Sequence, residues 1–366
     1  MKIAVVNCAA TGPLESIVAM FRAVGWECRV PNDALVWHLS RELGFDSTMT
    51  VRGMCEREGT ESPFPITPAT VADLSSCDLF VDVKGHRNGP RLWSTYPRLK
   101  NRTLWYRING GKPEHVVTPD KDYGDEVNPP CPVLTPNMWY GLDCLEVKEL
   151  YRPPYMEAVP SVHALGRSYV CWPPFVRFDE YLPKHPRRQP WIDPLCLVHN
   201  LAGWGYARWA DGCRKLGVKI YGRNSPDGLI QHDMLKALLS RALAMVHLKQ
   251  NDAPGYALYE AMAAGCPLVV SERMVEKCRM HEMFVDGETC LFFDRLDEPD
   301  LTHGGADDGR IAEAVARVGA LLERLRDPEF NRRIGTAGRE RLKSLMWRAD
   351  RDGPGLAAWL ERNFPC

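Results

Sequence analysis

Short hydrophobic runs alternate with amphipathic stretches along this chain, and most of the runs end in glycine, proline or polar residues. The runs Lys2–Asn7, Asp78–Lys84 and Thr103–Gly111 are almost continuously apolar at their centres. Such continuity is typical of strands buried on both faces of a parallel sheet. Because helix-forming stretches lie between these runs, the pattern predicts an α/β fold.

The same reading assigns the remaining elements. Further strands are predicted at Trp26–Val30, Cys131–Pro136, Leu195–Asn200 and Pro267–Val270. Helices are predicted at Leu14–Val24, Asp33–Gly44, Tyr256–Ala264 and Gly355–Phe364, with another that is capped by Asp307 or Asp308 and runs to Leu325. Loops are predicted at Asn7–Pro13, which is rich in small residues, and at Arg52–Thr70, which is polar and proline-rich.

The length of 366 residues suits two domains of ordinary size, each with its own core. Prolines crowd the region Arg152–Pro194, and such a composition indicates a stiff connection between domains. The predicted division is a first domain at 1–175, a linker at 176–194, a second domain at 195–350 and a last helix at 351–366.

Composition narrows the classes of function. The net charge of -1 disfavours a strongly basic nucleic-acid binder or a polybasic membrane anchor. The 13 cysteines are scattered without a Cys-x-x-Cys pair or zinc spacing, which favours a reduced, cytoplasmic protein. No stretch approaches the ~20 apolar residues of a membrane-spanning helix, so no integral membrane segment is expected.

The most informative stretch is Asn251–Ser271. It begins with a polar loop after an apolar run, continues as a short helix opened by Gly255, and ends at Gly265 and Pro267 before the next apolar run. Unpaired amides and the positive end of the helix dipole at that N-terminus favour an anion. Asp252 lies at the edge of the loop and Glu260 about one turn into the helix. Two carboxylates flanking a phosphate site are typical of a nucleotide-sugar site.

This stretch resembles the Glu-x7-Glu signature of the retaining GT-B glycosyltransferases of family 4. Asp252 stands at the first acidic position, where the family usually has Glu, Gly255 at the loop glycine and Glu260 at the second acid. Phe284–Phe293 and Leu322–Trp347 also resemble family segments. The resemblance implies a GT-B fold, with two Rossmann-like domains facing a central cleft. It further implies an acceptor domain first, a nucleotide-sugar domain second and a terminal helix that crosses back.

The resemblance also implies roles for individual residues. Asp252 and Glu260 are the expected catalytic pair, Asp252 holding the hydroxyls of the sugar and Glu260 those of the ribose. The amides of Gly255, Tyr256 and Ala257 are expected to bind the donor diphosphate. The family often has Arg after the strand that ends here at Asn200, with a Lys further on. Two other cations, Arg223 and Lys249, are predicted to take over that role.

Other candidates follow the strands of the first domain. Lys84 and His86 lie where open α/β sheets place their ligands, after the strand Asp78–Lys84. In GT-B enzymes the loop after the first strand faces the cleft, which makes Thr11 and Gly12 candidates. Arg107 and Asn109 occupy a strand end that faces the donor in the family. For each of these, an ordinary turn or a surface charge is the competing explanation.

The resemblance implies transfer of a hexosyl or pentosyl group from a nucleotide-sugar to an acceptor hydroxyl, with retention of anomeric configuration. Neither a cofactor nor a metal is expected. Two alternatives stay open, a nucleotide-sugar-binding protein with impaired catalysis and a GT-B-shaped nucleotide-sugar epimerase. The acceptor is not specified, since family acceptors include lipids, glycans, small molecules and proteins, and DNA bases in some viral enzymes.

Overall fold

The fold is described by a computed structural model that covers most of the chain. The described residues are 2–8, 11–44, 67–83, 89–106, 131–135, 150–151, 169–171, 175–181, 192–201, 206–230, 232–250, 255–277, 280–298, 301 and 307–365. They form two compact units. The first unit contains Met1–Phe175 and Met346–Cys366, and the second contains Val176–Leu345.

The first unit is built on a parallel sheet of eight strands in the order β3-β2-β1-β4-β5-β6-β8-β7. Its strands are β1 (Lys2–Asn7), β2 (Trp26–Pro31), β3 (Thr67–Ala69), β4 (Leu79–Asp82), β5 (Thr103–Tyr106), β6 (Val133–Thr135), β7 (Leu150–Tyr151) and β8 (Tyr169–Cys171). Its α-helices are α1 (Thr11–Ala23), α2 (Asp33–Arg41), α3 (Val71–Ser76), α4 (Gly89–Thr95) and, from the end of the chain, α11 (Ala349–Asn363). A 3-10 helix spans Pro97–Asn101.

Two buried clusters cover the faces of this sheet. One gathers β1, α1 and α11, with Phe21, Trp347 and Trp359 among its members. The other joins α2 and α3 to the sheet around Leu39, Leu74 and Phe80. The strand β4 is buried along its whole length, as its continuous hydrophobicity predicted. The α/β prediction is therefore confirmed in this unit.

Several boundaries in the first unit differ from the predictions, among them the end of α2, which comes at Arg41 and not at Gly44. The helix α1 begins at Thr11, inside the predicted loop, because the first turn of a helix tolerates Pro13. Thr67–Ala69 forms β3 rather than loop, and its Pro68 is accommodated because β3 lies at the sheet edge. The helix α11 starts at Ala349 and contains Pro354, whereas the sequence predicted a start at Gly355.

The second unit is built on a parallel sheet of five strands in the order β10-β9-β11-β12-β13. Its strands are β9 (Leu195–Asn200), β10 (Lys219–Arg223), β11 (Met245–Val246), β12 (Leu268–Val270) and β13 (Leu291–Phe292). Its helices are α5 (Tyr206–Lys215), α6 (His232–Leu239), α7 (Tyr256–Ala263), α8 (Glu272–Lys277), α9 (Asp308–Arg324) and α10 (Pro328–Leu345). Its main core packs α5 and α9 onto the sheet, and the fully buried Trp209 of α5 meets the ring of Phe293 edge-on there.

The helix α9 matches its sequence pattern. The side chain of Asp307 accepts a hydrogen bond from the amide of Arg310, at 2.9 Å, and so caps the helix as predicted. Ile311, Val318 and Leu322 are buried along one stripe. This agreement confirms the prediction of an amphipathic helix in that place.

The predicted linker is partly structured. Phe178–Tyr181 forms a 3-10 helix, and both Phe178 and Tyr181 are buried within the second unit. Ile192 pairs with Ala242 through an isolated bridge. The proline content predicted a stiff linker, whereas two of its aromatic side chains, Phe178 and Tyr181, are buried in the second unit.

Candidate functional site

The N-terminus of α7 is the centre of the candidate site. Gly255 precedes the helix with a φ of 72°, a left-handed conformation that favours glycine. A Cβ built on Gly255 meets none of the described atoms within 4 Å. The backbone conformation therefore requires glycine here. The amides that follow it, on Tyr256 and Ala257, belong to the first turn of α7, at the positive end of the helix dipole.

The rest of α7 is buried. Every residue from Leu258 to Ala263 is buried, which leaves only the first turn of the helix partly exposed. Gly265 follows with a φ of 67° and ends the helix as predicted. The neighbouring helix α10 approaches closely there, since a Cβ on Gly335 would lie 2.2 Å from the Gly265 carbonyl oxygen. Because both contacting residues, Gly265 and Gly335, are glycines, the two backbones can approach this closely.

Glu260 has a protein partner, contrary to the expectation of a carboxylate left free for hydroxyls. The hydroxyl of Tyr181 donates a hydrogen bond to Oε1 of Glu260, at 3.1 Å, and both residues are buried. A buried carboxylate requires such compensation. Tyr181 lies in the predicted linker, 79 residues earlier in the chain, so no local pattern could have identified it.

Arg339 of α10 fixes the opposite end of α7. Its Nη1 donates to the carbonyl oxygen of Ala263 at 2.7 Å and to that of Tyr181 at 3.2 Å. Its guanidinium also lies over the ring of Phe178, 4.2 Å from the ring centroid. A cation at the C-terminal end of a helix is favourable to the helix dipole. Arg339 thereby joins α7, α10 and the 3-10 helix that carries Tyr181.

The two predicted cations lie at the carboxyl edge of the second sheet. Arg223 is the last residue of β10, exposed, and registers with Asn200 at the end of β9. Lys249 comes shortly after β11, the strand on the other side of β9. Neighbouring strands are about 4.8 Å apart, so the backbones of β10 and β11 are separated by about 10 Å. The sheet therefore brings Arg223, Asn200 and Lys249 to one edge.

A buried polar network lies beside this edge. Asp294, which follows β13, accepts hydrogen bonds from Nε2 of Gln250 at 2.5 Å, from the hydroxyl of Ser271 at 2.6 Å and from the amide of Glu272 at 2.7 Å. Burial raises the pKa of the Asp294 carboxyl, and the three hydrogen bonds oppose that rise. We did not predict these residues, although Gln250 and Asp294 are polar residues directly after apolar runs.

His247 is a second buried polar residue near the end of β11. Its side chain is 2 % exposed, and neither ring nitrogen has a hydrogen-bond partner among the described residues. Burial, aided by the charge of Lys249, lowers the pKa of His247 from 6.5 to about 3. The imidazole is therefore neutral at physiological pH.

Several predicted residues lie outside the described part of the chain, namely Asp252, Lys84, His86, Arg107 and Asn109. Thr11 and Gly12 form the start of α1, directly after the carboxyl end of β1. At that edge, Nδ2 of Asn7 donates to Oδ1 of Asp82 at 3.3 Å, joining the ends of the adjacent strands β1 and β4. Sequence reasoning missed this buried pair because each residue reads as the polar end of a strand.

A cavity of about 480 Å³ lies in the second unit away from α7. It is an open depression of mixed charge near the beginnings of β9 and β10, and Asp193 and Lys219 face each other there at 3.9 Å. Because parallel sheets place ligands at their carboxyl ends, this opposite edge is not the candidate site. The lining residues are Asp193, Asp211, Arg214, Lys215, Gly217, Val218, Lys219 and Asp227.

Within the described residues, no helix is long and apolar enough to cross a bilayer. In the same part of the chain, no three His, Cys, Asp or Glu side chains are grouped closely enough to hold a metal ion.

Comparison with known proteins places these features in a family context. Residues 187–350 match the sequence profile of a family described as glycosyl transferase-like. This region contains the whole of the second sheet, α7 and the network around Asp294. No curated protein matches the sequence.

Solved structures match the fold over the full chain. The sucrose-phosphate synthase of Thermosynechococcus elongatus is 14% identical with a TM-score of 0.57, and 100% of this chain aligns with 99% of that chain. The pneumococcal O-GlcNAc transferase GtfA, solved with UDP and GlcNAc, is 10% identical with a TM-score of 0.58, over 100% and 99% of the two chains. HepE of Anabaena, solved with UDP and glucose, is 9% identical with a TM-score of 0.57, over 99% and 100%.

At these identities the structures establish the fold alone. Two parallel-sheet units that align over complete GT-B proteins confirm the predicted fold class. The chain has a GT-B fold, and within it residues 187–350 are similar to a family described as glycosyl transferase-like.

Proposed function

We propose that this protein transfers a sugar from a nucleoside-diphosphate donor to an acceptor hydroxyl, with retention of anomeric configuration, as in family 4. The observation that carries the proposal is the N-terminus of α7. There, Gly255 in a left-handed conformation opens a helix whose first turn is partly exposed, and a buried carboxylate, Glu260, follows one turn later. This arrangement offers amides to a diphosphate and a carboxylate to hydroxyls.

In this proposal, the amides of Gly255, Tyr256 and Ala257 bind the donor diphosphate together with Lys249 and, more distantly, Arg223. These donors stabilise the charge that develops on the leaving nucleoside diphosphate. Glu260 accepts hydrogen bonds from the ribose hydroxyls, either beside or in place of the bond from the Tyr181 hydroxyl. Asp252 binds the transferred sugar. The leaving phosphate accepts the proton of the acceptor hydroxyl, so no separate base is required.

Uridine nucleotides are the first donors to test. GtfA and HepE, two proteins of the same fold, were solved with UDP together with a sugar. We therefore extend to this chain the proposal of a UDP-sugar donor, bound without a metal or another cofactor. The acceptor class stays open among glycans, small molecules and DNA bases.

The first test measures thermal stability of the purified protein with UDP-, GDP-, ADP- and TDP-sugars, with EDTA present. A donor at 100 times its Kd stabilises the folded state by about 2.7 kcal/mol. We expect one nucleotide-sugar to raise the Tm selectively. The shift should disappear in an Asp252→Ala, Glu260→Ala double variant. It should persist in a matched double variant, Asp297→Ala, Glu313→Ala, which removes two exposed acids of the same unit.

Product analysis then separates the transferase from the alternatives. Slow hydrolysis of the donor, or transfer of its sugar, supports the retaining transferase if NMR shows that the product keeps the anomeric configuration of the donor. Conversion of the nucleotide-sugar into its epimer would identify the epimerase. Binding without any turnover would identify a binding protein. The transferase proposal fails if no nucleotide-sugar in the panel stabilises the protein.

A further inference from the structure

Tyr256 is the first residue of α7 and, like Ala257, is only partly buried. Its ring centroid lies 6.0 Å from that of Tyr259, with an angle of 86° between the ring planes, which is the edge-to-face geometry that aromatic pairs prefer. Tyr259 is 1 % exposed, and its hydroxyl lies 3.9 Å from the sulfur of Met280. A buried neighbour that is itself held at its far end therefore fixes the position of the Tyr256 ring.

Tyr256 shares a face of α7 with Glu260, four residues later. Residues i and i+4 of a helix lie on the same face, and the rise per residue separates their Cα atoms by about 6 Å along the axis. Because helix side chains tilt toward the N-terminus, the Tyr256 side chain is directed toward the N-terminal end of α7, on the side that carries the Glu260 carboxylate. The first turn thus combines backbone amides with an aromatic ring, and the carboxylate follows one turn deeper on the same face.

Tyr181 reaches Glu260 from the other end of the helix. Its hydroxyl donates to Oε1 of Glu260 at 3.1 Å. Its carbonyl oxygen accepts from Nη1 of Arg339, which also donates to the carbonyl oxygen of Ala263, the last residue of α7. The backbone of Tyr181 therefore lies near the C-terminal end of α7, whereas Tyr256 lies at its N-terminal end. A ligand that approaches Glu260 from the N-terminus of α7 meets the ring of Tyr256 first.

We propose that the ring of Tyr256 is a wall of the ribose subsite, against which the apolar face of the ribose packs while the ribose hydroxyls bind Glu260. The inference rests on the proposed function, in which the first amides of α7 bind the diphosphate. In a nucleoside diphosphate the ribose is joined directly to the first phosphate, so a ring that lies between those amides and the carboxylate contacts the ribose. A tyrosine ring offers a large contact area and loses little conformational entropy on binding.

Two ligands that differ by the nucleoside test this contact. UDP carries a ribose, whereas inorganic pyrophosphate offers the diphosphate alone. We expect Tyr256→Ala to raise the Kd of UDP, measured by calorimetry, about tenfold, and to change the Kd of pyrophosphate by less than about twofold. Tyr256→Phe, which keeps the ring, should recover most of the UDP affinity. Equal losses of affinity for UDP and pyrophosphate in Tyr256→Ala would overturn the inference, and so would an unchanged affinity for UDP.

A matched control separates the ribose contact from the general effect of removing an aromatic side chain. Phe330 of α10 is a partly buried ring of the same unit, and the guanidinium carbons of Arg324 and Arg333 lie 4.9 and 5.0 Å from its centroid. Phe330→Ala should lower the Tm without changing the UDP affinity measured well below that Tm. A loss of UDP affinity in Phe330→Ala as large as that in Tyr256→Ala would overturn the inference.

NMR covers the case in which Tyr256→Ala does not fold. In UDP-saturated wild-type protein with isotope-labelled tyrosine rings, we expect nuclear Overhauser effects between the ribose protons and a ring whose signals are missing from the spectrum of Tyr256→Phe. Effects that involve only the uracil protons, or only the other tyrosine rings, would overturn the inference. Wild-type protein that binds neither UDP nor any nucleotide-sugar would instead refute the proposed function, and the role of Tyr256 with it.

Discussion

The hydroxyl of Tyr181 donates to the buried carboxylate of Glu260 at 3.1 Å, so a residue from the Pro-rich segment is part of the candidate site. Glu260 sits on α7, one turn from the glycine that opens the helix. The guanidinium of Arg339 holds the carbonyl of Tyr181 in place at 3.2 Å. The orientation of Glu260 therefore depends on a second segment of chain as well as on its own helix.

Replacing Tyr181 with Phe tests this relationship. Tyr181→Phe should lower the free energy of unfolding by about 1–3 kcal/mol, because a buried hydrogen bond to a carboxylate is removed. If ribose hydroxyls take the place of the Tyr181 hydroxyl, UDP should raise the Tm of the variant more than that of wild type. Thermal melts with and without UDP measure both effects. A UDP shift of the same size in the two proteins would contradict a ribose contact at Glu260.

A second prediction concerns the backbone at Gly255. Gly255→Ala should cost about 1–3 kcal/mol of stability, because a φ of 72° with a ψ of 160° is a backbone conformation that only glycine adopts readily. The cost comes from the backbone alone, since an added Cβ meets no described atom within 4 Å. Gly287 is a close control, with a φ of 73° and equally open surroundings among the described residues. Both variants should lose similar Tm, but Gly255→Ala alone should weaken UDP binding in calorimetry. Equal UDP affinity in the two variants would argue against a diphosphate at α7.

A third prediction concerns the cations of the sheet edge. Lys249→Gln should raise the Kd of UDP about tenfold and reduce its dependence on salt concentration, since one charge-assisted contact to phosphate is lost. Arg223→Gln should have a smaller effect, because Arg223 is the last residue of β10, whose backbone lies about 10 Å from that of β11. Lys219→Gln, an exposed residue at the start of β10, is the control and should leave affinity unchanged. A larger effect from Lys219→Gln than from Lys249→Gln would move the phosphate site elsewhere.

The pH dependence of stability gives a fourth prediction. The folded-state pKa of His247 is lowered to about 3, whereas the unfolded chain takes up a proton near 6.5. Between these values the unfolded state binds more protons, so stability falls as the pH falls through 6.5 toward 3. From pH 7 to pH 5, His247 should account for about 2 kcal/mol of lost stability.

Urea unfolding of wild type and His247→Leu at pH 7 and pH 5 measures this contribution. The variant should lose about 2 kcal/mol less than wild type over that interval. His281→Gln, at an exposed histidine paired with Glu276, is the control and should follow wild type. Parallel acid sensitivity of wild type and His247→Leu would mean that the buried imidazole is not neutral in the folded protein.

Local sequence patterns predicted the framework of the site well. The central helix, its glycine boundaries and the strand Leu195–Asn200 agree with the structure because each depends on residues that are close in sequence. Asp307 was likewise predictable as the cap of α9, because it is an acidic residue just before an apolar stripe of helical spacing. The GT-B fold followed from a resemblance centred on the same helix.

Contacts between distant segments were not predictable in the same way. Tyr181 was read as linker because proline content describes backbone stiffness and carries no information on the partner of an aromatic side chain 79 residues away. The start of α11 was missed because Gly353, Pro354 and Gly355 indicate a helix break. In the structure, the side chain of Asp352, inside the first turns of the helix, accepts a hydrogen bond from the amide of the N-cap residue Arg348 at 2.8 Å. Burial of Leu356 and Trp359 in the core of the first unit stabilises the helix beyond Pro354.

The division of the chain into units has a consequence for folding during synthesis. The second unit is one continuous segment, Val176–Leu345, whereas the first unit consists of Met1–Phe175 together with Met346–Cys366. Trp347, Leu356 and Trp359, which complete the core around β1 and α1, are therefore translated after every residue of the second unit. During synthesis, the second unit can therefore complete its contacts first. The apolar face of α1 stays exposed until α11 has been translated. The first unit, although most of it is translated first, thus completes its folding last. Its exposed apolar surface makes it the unit more prone to aggregation during synthesis.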